Sequence, residues 1–424
     1  MSATRAGAKW HQQLHWRIAI AMALGVISGV VGGEALGETV GWIGTLFIKL
    51  LKMIIVPLVV TSIVCGVASV GAGAGLGRLF GKTLGYYFLT SACACIVGLL
   101  MVNLIKPGVD ANLVAVETEE MPELEVVDSP VDLILDIVPE NVVDSAANTD
   151  MLAIIFFSIV FGVSLSTLGS EHRNRLMGVF EGGFEAMMRL TGGIIHFVAP
   201  VGVFALIAKL VGSTGLESFR SLGLYALMLT AGLTIHLFLT LPLILRLIGG
   251  INPVTHFRNM LQPIVMAFST SSSGATLPVT LRAVKKQVGV SDRVSSFVLP
   301  MGATVNMDGT ALYECAGVMF IAQVMGVELG FEQQLLVVFT ALLASIGAAA
   351  VPSAGLVVIF IVLEAINLTG PQVELIVGAM LAVDRPLDMY RTVVNVFSDS
   401  CGAAIVAKSE GEQGIDEAVR PTIS

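Results

Sequence analysis

Apolar runs of about 20 residues, the length that crosses a bilayer as a helix, recur through this chain with few charges between them. A helix that is apolar on every face must be surrounded by lipid or by other helices, so such runs exclude an ordinary water-soluble fold. The totals agree, with 55% of the 424 residues hydrophobic and only 13% charged. One all-α membrane domain over residues 1–424 is expected, since nothing resembling a soluble domain interrupts the runs. A net charge of −9 argues against nucleic acid as a partner. Cys65, Cys93, Cys95, Cys315 and Cys401 lack metal-ligand spacing and read as small buried hydrophobes, and the scattered histidines read as surface or packing residues.

Spans are expected near 16–35, 41–71, 83–106, 150–169, 181–212 and 220–246. The basic N-terminus precedes an apolar run with no small-residue cleavage site, so that run reads as a first span rather than a signal peptide. Lys and Arg then set the sides. Arg5, Lys9, Arg17, Arg78, Lys82, Arg173, Arg175, Arg246 and Arg258 mark the cytoplasmic face of a plasma (inner) membrane, with both termini on that face. The loop over 107–150 is acidic, has no Lys or Arg from Pro107 to Thr149, and is expected outside.

Beyond Arg258 the pattern changes. LQPIVMAFSTSSSGATLPVTL begins and ends beside cytoplasmic charges and is broken in its middle by Ser269–Ser273, Gly274 and Pro278, so it is expected to enter and return. A span follows at about 294–325, and then a second run at about 335–363, broken by IGAAAVPSAG from Ile346 to Gly355. The two broken runs read as inverted counterparts, and non-helical backbone at membrane depth is tolerated only inside protein or along a cavity.

Polar groups are densest in the last apolar segment, Val383 to Lys408. Asp384, Asp388, Arg391, Thr392, Asn395 and Asp399 are spaced by three, four or a combined seven residues and so share one helix face. A charge at bilayer depth costs about 2.5–3.5 kcal/mol on insertion scales, so the stripe either lines a ligand cavity or is an ion-paired staple between helices. Arg391 with three carboxylates leaves negative charge in excess, which points to a bound cation. The stretch NMDGT carries oxygens on Asn306, Asp308 and Thr310 beside Gly302 and Gly309. It reads as an oxygen cage for a hard cation such as Na⁺, or as a kinked helix with one hydrogen-bonded aspartate.

These motifs together resemble the dicarboxylate/amino acid:cation symporter family, the glutamate and aspartate transporters of bacteria, archaea and animal synapses. The likeness runs through LFIKLLKMIIVPLVVTSIVCGVASV at 46–70, APVGVFALIA at 199–208, the serine-rich tip, NMDGT, SIGAAAVPSAG and DMYRTVVNV. It implies the sodium:dicarboxylate symporter fold: eight transmembrane helices and two re-entrant helical hairpins arranged as inverted repeats. It also implies a homotrimer with a scaffold part at about 16–71 and 128–212. The transport part, at about 83–106 and 219–408, would move across the bilayer like an elevator.

The same resemblance implies residue roles. Arg391 would grip the substrate's side-chain carboxylate and Asp388 its ammonium, with Thr310, Thr392, Asn395, Ser272, Ser273, Val351 and Gly355 completing the substrate site. Three sodium sites are implied: Asp399 with Gly302, Asn306 and Asn395; Tyr87, Thr90 and Ser91 with Asn306 and Asp308; and Thr304, Met307, Ser345 and Ile346. Glu314 resembles an acid of proton-coupled relatives, so it is either a carrier for a co-transported H⁺ or a hydrogen-bonded helix acid. Departures from the family pattern are Ser271 and Met389, where an extra arginine often stands, and Ala350 in place of a hairpin-tip glycine. Either Arg385, one turn before Met389, substitutes for that arginine, or Asp388 interacts differently.

The expected function is sodium-coupled import of L-aspartate or L-glutamate by a secondary transporter, not an enzyme. A C4-dicarboxylate or neutral amino acid symporter, a proton-coupled glutamate carrier and an ion channel are the alternatives. Asp388 speaks against a dicarboxylate, which has no ammonium, and Arg391 against a neutral substrate, which leaves a guanidinium unpaired.

Overall fold

Backbone N–H and C=O groups in lipid need partners within the chain, and the described residues meet that need with helices and no strands. The computed structural model describes residues 14–68, 76–109, 111, 137–215, 218–347 and 354–416. Val351 and the rest of the segment 348–353 lie outside them, as does most of the acidic loop.

Helix α1, Leu14–Ala68, is continuous except at Gly33, whose φ of 57° and ψ of −156° kink it into two arms. The expected separation into spans at 16–35 and 41–71 is therefore a one-residue kink and not a loop at 36–40. The intervening Glu34, Glu38 and Thr39 stay helical, with Thr39 bonded back to the Ala35 carbonyl at 2.8 Å. Helix α2 is Leu76–Ile105, α3 is Val142–Asn148 and α4 is Met151–Ser166. Next, α5 (Ser170–Gly193) runs through a π turn at Ile194–Val198 into α6 (Ala199–Thr214), so the span expected from 181 begins eleven residues earlier. In the same way α7 (Ser218–Ile235) continues through a π turn at His236–Thr240 into α8 (Leu241–Leu247). By length and composition, four described helices can cross a membrane: Trp16–Ala68, Arg78–Ile105, Ser170–Thr214 and Phe219–Leu247.

The second half is built from shorter pieces. After α9 (Pro253–Asn259), α10 (Leu261–Thr270) ends at Ser271 in the left-handed region, φ 49°, and Ser272 caps α11 (Ser273–Ala283) by accepting from the Ala275 N–H at 3.2 Å. The break falls inside the serine-rich stretch, as the sequence predicts. Helix α12 (Asp292–Val305) stops at Asn306, which is extended, and Met307, which is also non-helical, before α13 (Asp308–Val324) begins, so NMDGT joins two half-helices. Helices α14 (Phe331–Gly347) and α15 (Ala354–Ala365) flank the segment at 348–353. The last helix, α16, runs Pro371–Ser409 and starts twelve residues before the expected Val383. Its 39 residues extend about 58 Å, well beyond the ~30 Å hydrocarbon core.

Helix α16 is the hub: α2, α6, α7, α10, α11, α12, α13 and α15 all pack on it. Helix α1 lies along α6, and small residues set that approach. A Cβ on Gly29 would fall 2.7 Å from the Val211 Cβ, and one on Gly202 would fall 2.5 Å from the Phe47 Cβ. Helices α14 and α15 rest against α1 and α4, whereas α10 and α11 pack on α16 and α12. The chain beyond α16 doubles back as a strap. Glu410 takes Arg78 and Lys82, Glu412 takes the Ser291 hydroxyl and N–H, and Asp416 takes His256 and Asn259.

Candidate functional site

The polar stripe of α16 faces inward along its length, because lipid offers it no partners. Asp384, Asp388, Arg391, Thr392, Asn395 and Asp399 are all buried. Within the stripe the charges sort into two clusters.

In the first, the Arg391 Nη2 donates to Asp384 at 2.7 Å and to Asp388 at 3.2 Å, and Arg385 Nη1 donates to the other Asp388 oxygen at 3.2 Å. Two arginines thus face two aspartates, and the excess of negative charge expected around Arg391 is not there, because Arg385 supplies the second cation and Asp399 lies elsewhere. The ion-paired arrangement is present, but it is not sealed. Arg391 is 1% exposed, yet its Nε and Nη1 have no hydrogen-bond partner among the described residues. Its guanidinium carbon lies 3.9 Å from the centre of the Tyr313 ring, which supports it from below. A Cβ on Gly355, at the start of α15, would collide with Nη1, so the second broken run lies directly against the unused donor.

In the second cluster, Asp308 and Asp399 are 0% and 3% exposed and neither makes a salt bridge to Lys or Arg among the described residues. Asp399 accepts from the Asn306 amide at 2.9 Å. Asp308 accepts from Ser91 at 2.7 Å on one oxygen and from Ser398 at 2.6 Å on the other, where the His236 Nε2 also lies at 3.2 Å. Thr90 lies 3.4 Å from the Asn306 carbonyl oxygen, and Tyr87 bonds the Val298 carbonyl at 2.7 Å. Gly302 is needed here, since a Cβ would strike the Asp399 carboxylate and approach the Tyr87 hydroxyl to 2.7 Å. Two buried carboxylates without a Lys or Arg partner among the described residues, ringed by hydroxyl and amide oxygens, form a donor set suited to a hard monovalent cation.

Asn395 joins the clusters. Its carbonyl oxygen accepts from the Gly309 N–H at 2.7 Å, and its amide lies 3.4 Å from the Thr310 hydroxyl. Other expected residues are not brought into these contacts. Ser272 and Ser273 sit at the α10–α11 tip, where Ser272 serves as a helix cap. The Thr304 and Ser345 hydroxyls bond back to their own helices, at Met301 (3.0 Å) and Leu342 (2.9 Å). Met307 offers only a 4.0 Å sulfur contact to Thr310, and Thr392 bonds the Asp388 carbonyl at 2.8 Å. Glu314 is wholly buried, and neither of its carboxylate oxygens has a partner among the described residues.

His236 and Ser398 escaped the sequence reading although both contact Asp308. Each left a signal: His236 is an ionisable residue in the middle of an apolar span, and Ser398 continues the stripe three residues after Asn395. His256 likewise proves buried and doubly bonded, to Asp416 at 2.6 Å and Ser400 at 2.9 Å.

Comparison with known proteins gives the lineage. The profile described as "Sodium:dicarboxylate symporter family" matches residues 14–409. Excitatory amino acid transporter 3 of Mus musculus is 36% identical over 373 residues, covering 76% of this chain and 70% of that protein. The proton/sodium-glutamate symport protein of Bacillus caldotenax is 35% identical over 378 residues, 87% of each chain. The neutral amino acid transporter B(0) of Bos taurus is 38% identical over 398 residues, 86% of this chain and 72% of that one. With a profile match of that extent and relatives of that identity, the chain belongs to the sodium:dicarboxylate symporter family.

Proposed function

We propose that this chain is a sodium-coupled symporter that carries acidic amino acids, L-aspartate or L-glutamate, across a membrane. The observation that carries the proposal is Arg391: a buried guanidinium with two idle donor nitrogens, set against Gly355 and held 3.9 Å over Tyr313. A buried cation of that kind is costly unless a carboxylate completes it. The substrate's side-chain carboxylate would take the Nη1 edge. Asp388, held at 3.2 Å against 2.7 Å for Asp384, is the looser of the two carboxylates on Arg391 and would meet the substrate ammonium. A neutral amino acid would leave Nη1 unmet, which disfavours the activity named for the Bos taurus relative. A C4-dicarboxylate would leave Asp388 without an ammonium.

Sodium ions would enter as cargo at Asp308 with Ser91, Thr90, Tyr87 and Asn306, and at Asp399 with Gly302, Asn306 and Asn395. The third proposed site is Thr304, Met307, Ser345 and Ile346, beside the second broken run. Eight spans with two re-entrant hairpins, cytoplasmic termini and a homotrimer complete the reading. The packing of α14 and α15 on α1 and α4, and of α10 and α11 on α16 and α12, is consistent with a transport part moving against a scaffold part. Uptake of labelled aspartate by the purified, reconstituted protein should require a sodium gradient. Equal uptake in choline and sodium buffers would overturn the proposal.

A proton is a second candidate for co-transport, because the Glu314 carboxyl is buried with no partner on either oxygen. Uptake by Glu314→Gln should then lose its dependence on a pH gradient while keeping its dependence on sodium, and an unchanged pH dependence would remove this reading.

A further inference from the structure

The span Phe219–Leu247 is apolar apart from a few groups, and one of these, His236, is 0% exposed. It opens the π turn His236–Thr240, whose extra residue shifts the helix face and brings the ring inward. The Nε2 lies 3.2 Å from Asp308 Oδ2, and the Nδ1 has no partner.

The hydrogens follow from the donors available. An ionised carboxylate only accepts, so the ring nitrogen facing Asp308 carries the hydrogen. Ser398 obeys the same logic. Its hydroxyl hydrogen goes to Asp308 Oδ2 at 2.6 Å, and its oxygen accepts from the Asn306 amide at 3.0 Å. Asp308 Oδ2 is thus held by two donors from two different helices. Oδ1 meets only Ser91 at 2.7 Å and turns toward the side where Thr90 and Asn306 Oδ1 lie 3.4 Å apart.

We infer that His236 is a positioning residue for sodium: it does not touch the ion, but it fixes the Asp308 carboxylate so that Oδ1 points into the Ser91–Thr90–Asn306 cluster. This rests on the sodium-coupled reading above and adds a residue that the family resemblance did not supply. Without the His236 N–H, the carboxylate is held only by the Ser91 and Ser398 hydroxyls, which can turn with it about its Cβ–Cγ bond. Free rotation spreads the oxygen positions that the ion needs and lowers its affinity.

The test uses the full-length purified protein, with sodium alone as the probe and choline holding ionic strength constant. The thermal midpoint is followed against sodium concentration without amino acid. Loss of one hydrogen bond to a charged group should raise the half-maximal sodium concentration about tenfold or more in His236→Leu. His236→Gln, whose amide N–H reaches a similar position, should return it to within about threefold of wild type. Should the leucine variant fail to fold, His236→Asn, whose amide is too short to reach Asp308, replaces it in the comparison.

The inference is overturned if the variants lower the sodium-free midpoint but leave the sodium dependence at the wild-type value, because His236 would then only fill space. It is overturned equally if glutamine and leucine behave alike. If the wild type itself shows no sodium-dependent shift, the sodium-coupled reading falls first, and that failure is distinguishable because no variant is needed to see it.

Discussion

Adding a single methyl group at Gly355 is the sharpest probe of how the second broken run meets the arginine. In Gly355→Ala the new Cβ would overlap Arg391 Nη1 while standing 3.2 Å from the guanidinium carbon and 3.3 Å from Tyr313 Cδ1. The guanidinium cannot simply step aside. Its Nη2 is tied to Asp384 at 2.7 Å, and the Tyr313 ring lies 3.9 Å beneath it. Overpacking a filled site costs about 1–3 kcal/mol, which corresponds to about 5- to 150-fold in affinity if the substrate-bound arrangement bears it all. Aspartate affinity, measured by calorimetry at saturating sodium, should fall within that range. Sodium binding without amino acid should be unchanged, because no contact of Asp308 or Asp399 involves Gly355. Gly223→Ala, where a Cβ would meet nothing within 4 Å, is the control. An aspartate affinity within threefold of wild type, in folded Gly355→Ala protein, would refute the placement of substrate between Arg391 and α15.

Arg391→Lys keeps the charge but loses the planar fork and its stacking on Tyr313, so aspartate affinity should drop about tenfold or more by calorimetry. Lys52 bonds Glu374 at 2.8 Å and lies 5.1 Å from the Phe360 ring centre, tying α1 to α16 and α15. These are half-exposed contacts worth about 1 kcal/mol at most, so Lys52→Met should change the maximal rate of reconstituted uptake severalfold while leaving the aspartate KM nearly constant. At the end of α16, the hydrogen bonds and charges of Arg78 and Lys82 hold the Glu410 carboxyl down at about 2. A lowered value means the fold favours the ionised form, so the contribution is complete above the unfolded carboxylate range and lost as pH falls toward 2. The wild type should therefore melt above Glu410→Gln at pH 6, and the gap should close between about pH 4.5 and 2.

What the sequence could show was whatever a short stretch dictates by itself. Four serines in five positions beside glycine and proline cannot sustain a helix, and the chain breaks at Ser271. Asn306 and Met307 leave helical geometry where NMDGT says they should. The stripe on α16 was readable because period alone fixes a face. Period does not choose partners, however: Asp384 and Asp388 stand seven and three residues before Arg391, and only side-chain geometry selects Asp384 for the shorter bond. Long-range pairs were invisible for the same reason. His236 meets Asp308 across 72 residues of chain, and no local signal names that partner. The gap left at 36–40 between two expected spans misled in the other direction, because Gly33 alone carries the bend and Glu34 and Glu38 remain on a helix.

On the proposed reading, the two charge clusters also account for why substrate and sodium would bind together. The arginine cluster balances on its own, Arg385 and Arg391 against Asp384 and Asp388, so an acidic amino acid with net charge −1 brings unbalanced negative charge into a buried site. The neighbouring cluster has the opposite need, since Asp308 and Asp399 have no Lys or Arg partner among the described residues, and Asp308 meets only the His236 ring at 3.2 Å as a basic group. Sodium at the second cluster offsets both, and the chain gives the two a rigid connection. Gly309 lies so close to α16 that a Cβ would sit 2.8 Å from the Arg391 carbonyl oxygen, and its N–H is held by Asn395, one turn from both Arg391 and Asp399. A cation that orders the 306–309 break therefore fixes the backbone against which Arg391 is set. Coupling would then come from shared backbone as well as from charge, so raising ionic strength with choline should weaken it far less than replacing Asn395 by alanine. If aspartate affinity in Asn395→Ala kept its full dependence on sodium, the shared-backbone route would be wrong and charge alone would have to carry the coupling.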